Sequence, residues 1–198
     1  MNYNLSMELP SKPKIGLYID DSNLYKRGKD SGWMTDYKKL YKWVAELNTI
    51  IHARIYMGSP RYEPAKTINK ALAEYFTKIG YKVTTKELKR IRDDSSLRGF
   101  RNKCNFDVEM HDEIIDDLKD LDIVYIVSGD SDFIRTKDRI LKSQKHIKFL
   151  AYIKNSAWEI RTGSWFISLD SIKSEIARDG KQPENITKKP DAKSGEVT

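Results

Sequence analysis

Four aspartates stand where this chain could do chemistry: Asp20, Asp107, Asp130 and Asp132. The run Ile123-Val124-Tyr125-Ile126-Val127 is unbroken and apolar, and Ser128-Gly129-Asp130-Ser131-Asp132-Phe133 follows it at once. Such a run suits a strand buried on both faces, as in a parallel sheet covered by helices. Ligand sites in such sheets lie just outside the carboxyl ends of the strands. Lys14-Ile15-Gly16-Leu17-Tyr18-Ile19-Asp20-Asp21-Ser22-Asn23 repeats the pattern, with Asp20 at the strand end. A carboxylate directly behind a buried strand needs a partner. Asp and Ser also build turns and helix N-caps. Asp21 and Ser22 are read as caps, while Asp130 and Asp132 admit either reading.

The third acidic stretch runs Lys103-Cys104-Asn105-Phe106-Asp107-Val108-Glu109-Met110-His111 and on to Leu118. On a helix of 3.6 residues per turn, Met110, His111, Ile114 and Leu118 fall within about 60° of Asp107. Asp107 therefore belongs to the inward face, where a carboxylate must be hydrogen-bonded, paired or metal-bound. Asp112 and Asp116 lie about 140° and 180° away and read as solvated. His111 and His52 read as structural, and Cys104 as inert.

Hard oxygen donors without His or Cys pairs suit Mg²⁺ or Mn²⁺ better than Zn²⁺. Two such ions can hold an attacking water and a leaving oxygen in a phosphodiester displacement. Carboxylates that converge this closely repel one another unless a cation joins them. Asn23 is neutral and suits orienting a ligand or phosphate.

The elements that must position these residues alternate strand and helix, so βαβ units and a mostly parallel sheet are expected. Ile15–Ile19 and Ile123–Val127 are read as neighbouring central strands. A helix is predicted from Leu24, and another after a cap at Thr35 or Asp36, with Leu40, Trp43, Val44 and Leu47 as its core stripe. Ile50–Met57 reads as a strand, Glu63–Ile79 as a helix ended by Gly80, and Tyr81–Leu88 as a strand near an edge. Residues after Phe133 read as helix Ile134–Gln144, strand His146–Ile153, a short helix Asn155–Arg161 capped by Ser156, and an extended segment Ser164–Leu169. Residues 1–13 read as an extension, 14–172 as the domain, and 173–198 as a polar basic tail. Asp179–Thr198 is expected to be disordered.

Across 198 residues the net charge is +7 and the pI about 9.2, a balance that favours an anionic partner such as nucleic acid. Lys89–Lys103 is read as a loop rich in cations, and Arg98, Arg101 and Lys103 are candidates for phosphate contact. Ser128, beside the acidic motif, is a further candidate for substrate contact. A single Cys104 gives no disulfide framework and points to a reducing, cytoplasmic setting. No stretch is long and apolar enough for a membrane span, and residues 1–13 do not read as a signal peptide.

The Asp-x-x-Asn of Asp20 and Asn23, the Lys103 and Asp107 pair before a helix, and Ser-Gly-Asp-Ser-Asp-Phe resemble the NYN domain of the PIN-like nuclease superfamily. Flap endonucleases share a similar Gly-Asp-Ser-Asp-Phe segment. The resemblance covers about Lys14 to Ile172 and includes the Phe-Ile-x-Leu-Asp close near Asp170. It implies a PIN-like three-layer α/β sandwich and a ribonuclease that uses Mg²⁺ or Mn²⁺. It also implies Asp20, Asp107, Asp130 and Asp132 as metal ligands, assisted by Asn23. Single-stranded RNA is the expected substrate, with DNA as a second. Two features depart from the family pattern: Arg135 stands where many relatives have Pro, and Asp112 falls five positions past Asp107 rather than six. A nucleic-acid-binding module with an inert or weak site is the alternative. A haloacid-dehalogenase-type phosphatase needs Asp-x-Asp after strand one, where this chain has Asp20-Asp21-Ser22. A topoisomerase-primase-like site needs an earlier Glu that has no counterpart here, and phosphate-binding Gly-rich loops are absent.

Overall fold

The computed structural model describes residues 9–94 and 99–179. In chain order the elements begin β1 (Lys14–Asp20), α1 (Asp21–Ser31), α2 (Tyr37–Leu47), β2 (Thr49–Ser59), α3 (Ala65–Ile79) and β3 (Lys82–Glu87). They continue with β4 (Lys89–Arg92), β5 (Phe100–Lys103), α4 (Asp107–Asp117), β6 (Ile123–Val127) and α5 (Ile134–Lys142). The last are β7 (His146–Ala151), α6 (Trp158–Arg161), β8 (Phe166–Ser168) and α7 (Lys173–Ile176).

Six strands form one sheet in the order β3-β2-β1-β6-β7-β8, and every neighbouring pair is parallel. β1 and β6 are the central neighbours, in register from Ile15↔Ile123 to Ile19↔Val127. β3 is an edge strand, as its Lys and Thr content predicts.

Side chains alternate across the sheet, and each face builds its own core. Ile15, Leu17 and Ile19 of β1 join Ile123, Tyr125 and Val127 of β6 on one face, under residues of α1, α2, α3 and α7. Tyr18, Val124 and Ile126 point to the other face, under α4, α5 and α6. The result is the three-layer sandwich expected from the sequence. Gly80 ends α3 at φ 119°, and its N–H bonds to Phe76 and Thr77 carbonyls. That positive φ is the conformation glycine adopts at least cost.

Several boundaries differ from the sequence expectation. α1 begins at Asp21 rather than Leu24, because Asp20 itself is the cap. Ser156 does not cap α6; it is buried, and its hydroxyl donates to the Tyr152 carbonyl. The expected loop at Lys89–Lys103 is an antiparallel hairpin, with Lys89 opposite Lys103. α7 was hidden by polar composition, yet Ile176 is fully buried and Ala177 bridges to Thr35. The expectation of disorder falls almost wholly on residues 180–198, outside the described residues; Asp179 lies against Lys39 at 2.6 Å.

α4 is held on the sheet by more than apolar contact. Glu113 and Asp117 sit one turn apart on its inner side, facing Arg54 of β2. Arg54 reaches Asp117 through Nε at 3.0 Å and Nη2 at 2.7 Å, and Glu113 through Nη1 at 3.1 Å. Tyr18 donates to Asp117 at 2.8 Å and Tyr56 to Glu113 at 2.8 Å. Burial, followed by these acidic acceptors, pushes both phenols far above their ordinary range, so they remain donors. His52 also approaches Asp117, at 3.7 Å. Removing one partner of such a buried pair leaves an uncompensated charge. Arg54→Ala is expected to lower unfolding free energy by about 3 kcal/mol in urea titration. A loss below about 1 kcal/mol would mean that solvent screens the pair.

Candidate metal and nucleic-acid site

Strand order reverses between β1 and β6, which makes their carboxyl ends the switch point of the sheet. Asp20 ends β1 and caps α1: its Oδ1 accepts from Ser22 Oγ at 2.8 Å and Asn23 N–H at 3.1 Å. Asp130 follows β6 and caps a short 3-10 turn over Ser131–Phe133, accepting from Asp132 N–H at 3.2 Å. Thus Asp20 and Asp130, which read as ligands, are also caps. An ionised carboxylate has acceptor sites enough for both tasks.

One contact joins the strand ends and a second anchors the loop after β6 to the start of α6. Asn23 Oδ1 accepts from Gly129 N–H at 3.1 Å, which joins α1 to the loop after β6. Ala157 N–H donates to the Gly129 carbonyl at 2.9 Å. A Cβ on Gly129 would collide with the Ser156 hydroxyl, so only glycine permits this approach. Asp107 enters from the first residue of α4, its N–H bonded to Asn105 Oδ1 at 2.9 Å. Asp20, Asp107, Asp130 and Asp132 all line one cleft of about 360 Å³.

The charges in this cleft act on one another. Burial raises the pKa of Asp20, and the Asp130 carboxylate adds to the rise against hydrogen bonds from Asn23 and Ser22. Burial likewise raises Asp107, with further repulsion from Asp132, Asp20 and Asp130. The donor set fits a hard divalent ion: four carboxylates, with the one thiol, Cys104, raised by burial and so kept protonated. Among the described residues, no three acidic, His or Cys side chains already stand close enough to share an ion. Like charges facing one cleft resist closer approach until a cation joins them.

A family model for the NYN domain matches residues 14–170. The chain belongs to the NYN domain family. Membership points to a nuclease-like function and a nucleic-acid substrate. The chain is also similar to Low amplitude and bright protein LabA of Synechococcus elongatus, 26% identical over 168 residues, covering 83% of this chain and 88% of that protein. A crystal structure of a protein of unknown function from Vibrio parahaemolyticus shares the fold, with TM-score 0.67 and 20% identity over 87% of this chain and all of the other. No helix among the described residues is long and apolar enough to cross a membrane.

The NYN cleft gathers some of the remaining candidates and leaves others out. Lys103 lines it, from the end of β5. Ser128 is 2% exposed and does not line it; its Oγ accepts from Asp130 N–H at 3.3 Å. Its place is behind the site, where it orients Asp130. Arg98 lies outside the described residues, and of Arg101 only the backbone is described, in β5 opposite Ile91. Asp21 faces away and accepts from Tyr37 Oη at 2.6 Å. Asp112 is exposed, as the helical wheel predicts, and His111 is occupied by Thr136 at 2.8 Å.

Lys26 and Arg27 also line the cleft and were missed. Their signal was spacing: they follow Asn23 by three and four residues, on the same helix face. Arg27 Nε is buried without a hydrogen-bond partner, while its Nη1 stands 3.8 Å from Asp30 one turn on.

The raised carboxyl groups set the sign of a pH effect. Between the ordinary aspartate pKa and the raised native value, the native state binds more protons than the unfolded chain. Stability therefore falls as pH rises through that window. Asp107→Asn removes the charge that three carboxylates oppose, although α4's N-terminus favours it by under about 1 kcal/mol. In EDTA at neutral pH the variant is expected to melt about 1–3 °C higher than the parent. The gap should close as pH falls toward about 4. Scanning calorimetry at both pH values checks this, and a lower melting temperature at neutral pH would contradict it.

Proposed function

We propose that this NYN domain is a divalent-metal-dependent ribonuclease that hydrolyses phosphodiester bonds at the aspartate cleft. One observation carries the reading: the switch point of the sheet brings Asp20 and Asp130 to one edge, and α4 delivers Asp107 opposite them. Asp20, Asp107 and Asp130 would hold Mg²⁺ or Mn²⁺, with Asp132 completing the set directly or through water. When bound, such an ion supplies positive charge to the scissile phosphate and lowers the pKa of the attacking water.

The chain's own groups divide the remaining work. Lys26, Arg27 and Lys103 line the same cleft as the aspartates and offer cations to phosphates on either side of the cut bond. Asn23 keeps its side-chain carbonyl on Gly129, so it fixes the spacing of the two strand ends. Ser128 holds the Asp130 backbone from behind. Water attacks phosphorus, the bond to the leaving ribose oxygen breaks, and that oxygen takes a proton. Single-stranded RNA, with DNA in second place, is the substrate this reading takes from the family resemblance; the basic charge suits an anionic partner and the lone thiol a reducing, cytoplasmic setting.

The separation of the carboxylates favours a second reading, a nucleic-acid-binding module with a weak metal site. A cleavage assay separates the two. Asp130→Asn keeps the cap and the shape and removes a charge. With Mn²⁺ and single-stranded RNA it is expected to cut at least about a hundredfold more slowly than the parent, the scale of losing one charge-stabilising group. Mn²⁺ titration calorimetry should show weaker binding in parallel. Equal rates and equal binding would place the chemistry elsewhere. No cleavage by the parent with any divalent ion would leave the binding module.

A further inference from the structure

Beside the aspartate cleft lies a second one, of about 830 Å³, within the size range of sites that take small organic groups. The two are continuous: Leu88 and Asn102 line both. Their shared wall is fixed, because Leu88 N–H donates to the Ser59 carbonyl at 2.9 Å and ties the hairpin's root to the end of β2. The second cleft therefore lies where a strand leaving the aspartates past Lys103 would go.

Its lining is aromatic and cationic. Tyr62, in the turn between β2 and α3, is 73% exposed and lines the cleft. Across the cleft the Arg90 guanidinium lies over the Phe100 ring, 3.3 Å from its centroid. Lys89 adds a second cation. The acidic groups here are already engaged: Glu87 takes Arg61 at 2.6 Å, and Glu63 accepts from Thr67 N–H at 3.0 Å and Oγ1 at 2.7 Å. The surplus in the cleft is positive, beside an exposed ring. A flat π face next to cations is how proteins hold unpaired bases, since every base has a π face and its backbone is anionic. Bases within a duplex are stacked on one another and their faces are covered.

We propose that this second cleft is a base-stacking subsite, in which Tyr62 takes an unpaired base while Lys89 and Arg90 hold the adjoining phosphates. The proposal rests on the nuclease reading and adds to it a source of preference for single strands. The sheet edge would do the chemistry, and the hairpin with the β2–α3 turn would select the strand.

Fluorescence anisotropy with a short labelled single-stranded RNA, and with the same sequence as a duplex, tests it on the Asp130→Asn background, so that cleavage does not intervene. Tyr62→Ala is expected to weaken single-strand binding about tenfold, the scale of one lost stacking contact. Duplex binding should stay unchanged, and Tyr62→Phe should bind like its parent, because the ring and not the hydroxyl carries the contact. Tyr62 is exposed, so the melting temperatures of these variants should match. Equal single-strand affinity for Tyr62→Ala and its parent would overturn the subsite, as would equal losses on both RNAs. If wild-type protein cuts RNA in either case, the nuclease reading stands without the subsite. If the Asp130→Asn parent binds no RNA and the wild-type protein cuts none, both fall together.

Discussion

Everything in the cleft depends on the parallel pairing of β1 with β6. Five residue pairs run in register, and the strands end flush. Because both run the same way, their acidic ends meet at one edge instead of lying a strand's length apart. Because β2 and β3 continue to one side and β7 and β8 to the other, no crossover helix among the described residues covers the junction. Both strands are buried on both faces, so a slip of one residue would turn Ile19 and Val127 into the opposite core and unseat Tyr18 and Ile126. Sheet register and site geometry are thus one constraint.

A second constraint brings α4 to that edge. Its apolar residues Met110 and Ile114 would pack with some freedom to slide. The Arg54 fork on Asp117 and Glu113 removes that freedom by demanding one alignment of helix and strand. A helix aligned at its far turns delivers Asp107 at its first turn to a defined place. The polar pair under α4 thus costs desolvation and returns positioning. The aspartates carry the opposite cost: burial and mutual repulsion raise Asp20 and Asp107 and destabilise the charged form. Lys26, Arg27 and Lys103 line the same cleft, so the groups that would meet phosphate offset most of that negative charge.

The central sheet was legible because its signal is local. Two apolar runs, each closed by acidic residues, announce buried parallel strands without reference to the rest of the chain. Asp20 and Asp130 were legible for the same reason, and Asp107 through a helical period. The Arg54–Asp117 pair was not, since its members stand 63 positions apart and an Arg in a strand pattern suggests a solvated face. The hairpin at Lys89–Lys103 was read as loop because charge, not apolar alternation, fills it, and its strands bury little. Ser156 was misread as a cap, because Ser before a helix signals capping whether or not the hydroxyl is drawn into the core. Lys26 and Arg27 look like ordinary solvated helix cations until the cleft gives their face a purpose.

The central claim is that three segments remote in sequence share one divalent ion. Diffraction from crystals grown with Mn²⁺, recorded at the manganese absorption edge, tests it most directly. The expected result is an anomalous peak between the ends of β1 and β6 and the start of α4. Carboxylate oxygens of Asp20, Asp107 and Asp130 should each either stand about 2.1 Å from it or accept a hydrogen bond from a water that does. A peak elsewhere on the chain, or none at saturating Mn²⁺, would contradict the account.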